Sequence, residues 1–178
     1  MHLQASGESA LATINVIYLG PLDTRHHVHS LADAFMAARD HDHRLHLLVV
    51  GDGDERACLE RRLGHAATFL DALGDAQFDQ LTGQADLLVC PTTAPDTAQT
   101  IMAAQRGGLP VLAVDGDDAA TLIENGRSGF LVPDDATALA DAIRWLCRRA
   151  TLRERLATGG RLAAGTRQAS GQGRIMTA

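Results

Sequence analysis

The stretch Leu45-His46-Leu47-Leu48-Val49-Val50-Gly51-Asp52-Gly53 decides the fold class. Apart from His46, its first six residues are apolar, with no alternation. A strand with one wet face alternates. A continuous apolar run that stops at a glycine turn reads as a strand covered on both faces, as in a parallel sheet. The same pattern recurs on either side. Ile14–Leu19 is broken by Gly20-Pro21, Leu87–Cys90 by Pro91, and Phe130–Val132 by Pro133. Val111–Val114 and the weaker Ala67–Leu70 complete the set.

Between these runs the apolar spacing becomes helical. Val28, Leu31, Ala32, Phe35 and Met36 fall on one face. Residues 54–63 form a second helix with Cys58, Leu59 and Leu63 inward, and 76–83 a short one carrying Phe78 and Leu81. Residues 98–106 form another, capped by Gly107-Gly108. Asp135 or Thr137 can cap a helix whose stripe is Leu139, Ala142, Ile143 and Leu146, and 152–162 add one more. Strands alternating with helices through short loops predict an α/β fold. It is a doubly wound, Rossmann-like parallel sheet of about six strands, with helices on both faces. Residues 14–164 make a single domain, 1–13 an N-terminal extension, and 165–178 a polar, flexible tail without periodicity.

Composition narrows the function. The chain has 178 residues, enough for one domain with a full core. Aromatic residues are only 3%, so there is no stacking platform for nucleic acid. The net charge of −6 disfavours nucleic acid and anionic membranes. All 16 basic residues are Arg, which excludes Schiff-base lysine chemistry. The Ala, Arg, Gly and Asp bias is that of a GC-rich bacterial genome. Cys58, Cys90 and Cys147 are odd in number and widely spaced, as reduced thiols acting as small hydrophobes are. No basic leader and no run of ~18 apolar residues occurs. A cytoplasmic protein without a transmembrane segment is expected.

In an open parallel sheet, ligands bind outside the carboxyl ends of the strands. That rule selects the loops 20–27, 51–54, 71–75, 91–97 and 115–118. The ligand-binding candidates on them are Gly20, Arg25, His26, Gly51, Asp52, Gly53, Thr92, Asp96, Thr97 and Asp117. The rim is acidic. It collects Asp52, Asp54, Asp71, Asp75, Asp96, Asp115, Asp117 and Asp118 against Arg25, His26, His27 and His29. A nucleotide diphosphate would be repelled there unless a cation or another chain supplied positive charge. The simpler reading is that most of these Asp residues are solvated caps.

Several stretches in order resemble one family. They are Leu47 to Gly53, Ala85 to Pro91, Gly107-Gly108-Leu109-Pro110-Val111, and Ile123-Glu124-Asn125-Gly126-Arg127-Ser128-Gly129-Phe130-Leu131-Val132. The last is the most specific, and residues 139–146 continue it. Together they resemble the C-terminal, donor-binding domain of group-1 retaining glycosyltransferases of GT-B fold, over about Val16 to Leu156. The resemblance implies a nucleotide-sugar bound on this domain, with the acceptor side supplied by an N-terminal domain of similar size. No room for that domain precedes Ile14, so this chain alone is not expected to form the interdomain cleft.

The family's functional positions are changed. An Arg next to the first glycine and a Lys five residues later hold the donor pyrophosphate in the family; here those places are Pro21 and His26. Pro offers no donor, and His is a pH-dependent substitute for Lys. Two Glu eight apart engage the sugar and ribose; here Pro95 and Ala103 stand there, with Asp96 and Ala98 in place of the two glycines between. Those glycines let helix N–H groups approach phosphate. An Asp at that terminus favours the helix dipole while repelling phosphate. Each charged hydrogen bond to phosphate contributes roughly 1.5–3 kcal/mol, so losing two or three weakens binding by orders of magnitude.

Other constellations are weaker. The run Asp40-His41-Asp42-His43 could ligate a metal, but a helix of about ten residues at ~1.5 Å each separates it from His26, His27 and His29. His43 and His46 flank a loop and read as solvated, and no metal site is assigned. Gly51-Asp52-Gly53-Asp54 lacks the patterns of a phosphate loop. Three functions follow. The first is a glycosyltransferase-like domain with an altered nucleotide-sugar site, without turnover alone, that acts through a partner. The second is the donor-binding subunit of an active two-chain glycosyltransferase. The third is a cation or small-ligand domain. No cofactor is required; a UDP-, GDP- or ADP-sugar is the candidate ligand, bound weakly. The candidate partners are an N-terminal glycosyltransferase-half protein or a second copy of the chain.

Overall fold

The computed structural model of the chain describes residues 12–71 and 74–172. The first eleven residues of the expected extension and residues 173–178 of the expected tail lie outside them.

Six parallel strands form one sheet: β1 (Ile14–Leu19), β2 (Leu45–Val50), β3 (Ala67–Leu70), β4 (Leu87–Cys90), β5 (Val111–Val114) and β6 (Phe130–Val132). Their order is β3-β2-β1-β4-β5-β6, the doubly wound Rossmann order. The helices are α1 (Val28–Arg39), α2 (Arg56–Leu63), α3 (Asp75–Thr82), α4 (Thr97–Gly107), α5 (Asp117–Leu122), α6 (Ala136–Cys147) and α7 (Ala150–Gln172). The fold class read from the sequence is the fold observed.

Alternate strand residues feed two cores. Val16, Tyr18, Leu47, Val49, Leu87 and Val89 pack with α1 and α6 residues such as Phe35, Leu139 and Ile143. Ile17, Leu88, Cys90, Val111 and Ala113 pack on the other face with Ile101 and Ala104 of α4. This two-sided burial is why the strands read as unbroken apolar runs. Asp135 rather than Thr137 caps α6, its carboxylate accepting from Ala138 N at 2.8 Å.

Two readings of local structure are corrected. Residues 115–118 are not wholly loop: Asp117 and Asp118 open α5, where carboxylates favour the positive end of the helix. The polar segment from residue 165 is not loose as far as Gln172, because it continues α7. Thr166 and Ser170 donate to carbonyls four residues back, and the Arg167 guanidinium reaches the Leu122 carbonyl and Gln105 Oε1. Gln105 is fully buried and donates in turn to the carbonyls of Leu122 and Ser128. Gly159 lets α7 cross the turn before β6, since a Cβ there would collide with the Arg127 carbonyl. His46 sits on β2, at the strand end beside the loop, and its Nε2 lies 2.8 Å from Thr68 Oγ1 on β3.

Candidate functional site

The strand order reverses between β1 and β4. The crevice outside the carboxyl ends of those two strands is where this architecture holds ligands. The loop after β1 is drawn down onto the loop after β2. Gly20 N donates to Val50 O, Leu22 N to Asp52 O, and Glu55 N to Leu22 O. A Cβ on Gly51 or Gly53 would strike the carbonyls of Gly20 or Leu22, so both glycines serve this backbone contact.

Beyond Gly20, a short 3-10 turn at Thr24–His26 is capped by Asp23. It delivers His26 into the crevice, where the residue is 8% exposed. The imidazole is held at both nitrogens. Nδ1 lies 2.7 Å from Asp23 Oδ1, and Nε2 lies 3.1 Å from Asp96 Oδ2. Asp96 starts α4, yet its carboxylate makes no cap hydrogen bond and turns to His26 instead. The expectation of a dipole-stabilising Asp at this terminus is thus only half of its role.

The hydroxyls nearby are also engaged within the chain. Thr92 Oγ1 donates to Arg25 O and accepts from Ala94 N, while Thr97 Oγ1 donates to Thr92 O. Tyr18 donates its hydroxyl to Pro21 O at 2.8 Å. Burial, and then the charges of Cys90, Asp96 and Asp23, hold the Tyr18 phenol well above its ordinary range. Burial and the Asp96 charge push the Cys90 thiol up to about 12. The His26 hydrogen bond is the main cause that holds Asp23 down to about 2. What remains between Tyr18, His26, Cys90, Thr92 and Asp96 is a cavity of about 10 Å³. That is room for about one water.

Of the ten candidates from the sequence, His26, Thr92, Asp96 and Thr97 line this cavity, and Gly20 lies beside it. Gly51, Asp52 and Gly53 shape the adjoining turn, with Asp52 Oδ1 accepting from Gly53 N. Arg25 and Asp117 do not line the cavity. Arg25 points to solvent, paired with Asp23, and Asp117 is exposed on α5. Two aspartates of the acidic rim, Asp71 and Asp96, are paired. Asp71 binds Arg56 at 2.8 Å, while the Asp75 side chain lies outside the described residues. Sequence reasoning missed Asp23 and Tyr18. The Asp-x-x-His spacing of Asp23 and His26 could have signalled the first; nothing local signals that Asp96 is its counterpart 70 residues away.

The family described as glycosyl transferases group 1 matches residues 13–149. A phosphatidyl-myo-inositol mannosyltransferase of Mycobacterium leprae is 32% identical over 150 residues, covering 82% of this chain and 40% of that protein. A GDP-mannose-dependent alpha-mannosyltransferase of Mycolicibacterium smegmatis is 33% identical over 118 residues, covering 66% of this chain and 30% of that protein. The chain therefore spans well under half the length of these relatives. Among solved structures, HepE of Anabaena in complex with UDP and glucose superposes with a TM-score of 0.76 at 25% identity, over 87% of this chain and 44% of that one. The C-terminal domain of LpcC, a group 1 glycosyl transferase family protein of Francisella tularensis, gives 0.78 at 17% identity, over 87% of this chain and 86% of that domain. At that identity the likeness speaks for the fold alone.

Proposed function

This chain belongs to the group 1 glycosyl transferases, and on that premise we propose that it is a donor-domain scaffold with an altered, internally closed nucleotide-sugar site. It performs no turnover as an isolated chain and acts through a partner protein. The observation that carries this reading is the His26 clamp. The side chain at the family's Lys position is held between two carboxylates, and about 10 Å³ is left where a ligand would enter. A ligand pocket usually has hundreds of cubic ångströms. Pro21, Pro95 and Ala103 supply none of the charged contacts that a donor sugar diphosphate uses in the family.

A surface groove supports the partner. Phe130 and Trp145 pack in a tilted pair with ring centroids 5.3 Å apart, and the Arg149 guanidinium sits 4.7 Å over the Trp145 ring. The groove beside them holds about 530 Å³. Trp and Arg are the residue types that dominate binding energy at protein interfaces.

Calorimetric titration tests the closed site. UDP-glucose, GDP-mannose and an ADP-sugar are each expected to give no saturable heat at micromolar to millimolar concentration. Saturable micromolar binding by the isolated chain would overturn the reading in favour of a donor-binding subunit of an active enzyme. Trp145 is the sole Trp, so its emission reports on the groove. It is expected to shift when an N-terminal glycosyltransferase domain is added or when the chain is concentrated. No shift in either case removes the partner.

A further inference from the structure

A second polar cluster lies outside the cavity of His26 and Asp96. His29, in the first turn of α1, faces Glu55 and Cys58 at the start of α2. A ring nitrogen of His29, a carboxylate oxygen of Glu55 and Sγ of Cys58 all lie within 4.8 Å of one another. Glu55 and Cys58 are three apart and share a helix face. Glu55 makes no cap hydrogen bond; its Oε2 lies 2.7 Å from His29 Nε2. The neighbouring guanidiniums are paired elsewhere, Arg56 with Glu60 and Asp71, and Arg62 with Asp33. An imidazole and a thiol therefore face this carboxylate, and no described guanidinium is paired with it.

We propose that His29, Glu55 and Cys58 form a Zn²⁺ site with three protein ligands and an open fourth position for water. Nitrogen, oxygen and sulfur in one tetrahedral set suit zinc. A neutral His, a carboxylate and a thiolate balance the charge of the ion. Cys58 enters as the thiolate, and its proton passes to solvent. Zinc bonds of about 2.0–2.3 Å at tetrahedral angles separate ligand atoms by roughly 3.3–3.8 Å. Side-chain adjustments of about an ångström thus seat the ion. The backbone beneath is already fixed, because Glu55 N donates to Leu22 O and Leu59 N to Glu55 O. The ion fastens the start of α1 to the start of α2, next to the crevice between β1 and β4. The site holds whether or not a nucleotide-sugar binds.

Co²⁺ replacing Zn²⁺ is the probe, titrated into the full chain under a non-thiol reductant. The expected result is one Co²⁺ per chain, with tetrahedral ligand-field bands and a thiolate charge-transfer band. Cys58→Ser should abolish that band. His29→Ala should weaken binding by more than about tenfold, since outer-sphere partners alone account for ~10–100-fold. The double variant His41→Ala/His43→Ala should bind like the parent chain. Circular dichroism establishes that each variant is folded, and Zn²⁺ should raise the melting temperature of the parent but not of Cys58→Ser. A parent chain without a thiolate band overturns the site. So does a band that survives Cys58→Ser, or binding lost in the His41/His43 variant.

Discussion

In the turn between α5 and β6 the side chains of Asn125 and Ser128 serve the backbone; at the rim between β1 and β4 such backbone bonds are joined by a chain of side chains, Asp23–His26–Asp96. Asn125 Oδ1 accepts from Leu131 N, and Ser128 Oγ accepts from Glu124 N while Ser128 itself is 3% exposed. The backbone closes the same turn with Gly126 N on Gly129 O. At the rim, His26 joins Asp23 to Asp96, and the nearby hydroxyls bond to loop carbonyls. Both regions satisfy their polar groups within the chain. Only the second stands where the architecture holds ligands. A resemblance in sequence is therefore strongest where side chains build the scaffold, and it says least about the rim.

The contrast can be broken from the scaffold side first. Gly159→Val drives a side chain into the Arg127 carbonyl and should cost about 4–5 kcal/mol, measured by urea denaturation. A stable, cooperatively folding variant would mean that α7 does not press on the turn. Ser128→Ala leaves the Glu124 N–H without its acceptor in a closed turn, and a loss of about 1–3 kcal/mol is expected.

The rim should answer in pH rather than in overall stability. Asp23 is held at about 2, below its ordinary 3.8. Its contribution is present above 3.8 and is lost as pH falls through about 2. His26→Ala should raise the Asp23 pKa and flatten the stability–pH curve across that window, followed by NMR titration and by denaturation at several pH values. An unmoved Asp23 would dissolve the clamp. The smallest effect is expected on the scaffold's own surface. Arg127 and Glu124 pair while mostly exposed, so Arg127→Ala should change stability by no more than about 0.5 kcal/mol.

The sheet was legible because each of its strands is an apolar run closed by a glycine, a proline or a charged loop. The short α5 was not, because two aspartates and four small or apolar residues read equally well as a loop. The end of α7 was hidden by its glycines and hydroxyls; buried Gln105, on a distant helix, is what Arg167 holds. At the site the loops could be chosen from strand order alone. Which side chains meet across them could not, because His26 and Asp96 approach only through the pairing of β1 with β4. His29 and Cys58 were similarly divided between a histidine cluster and an inward-thiol reading, and Glu55 belonged to neither.

Arg153 ties α7 to α6 and to the sheet. It donates to the carbonyls of Leu146 and Cys147 at the end of α6 and pairs with Asp86, whose other oxygen accepts from Asn15 N on β1. These links span 67 and 71 residues. β1 and α7, far apart in sequence, therefore meet on one carboxylate. Links of this range reward the chain only after a large loop has closed, so they slow folding relative to local contacts, and a change at Asp86 would loosen both ends of the tie at once.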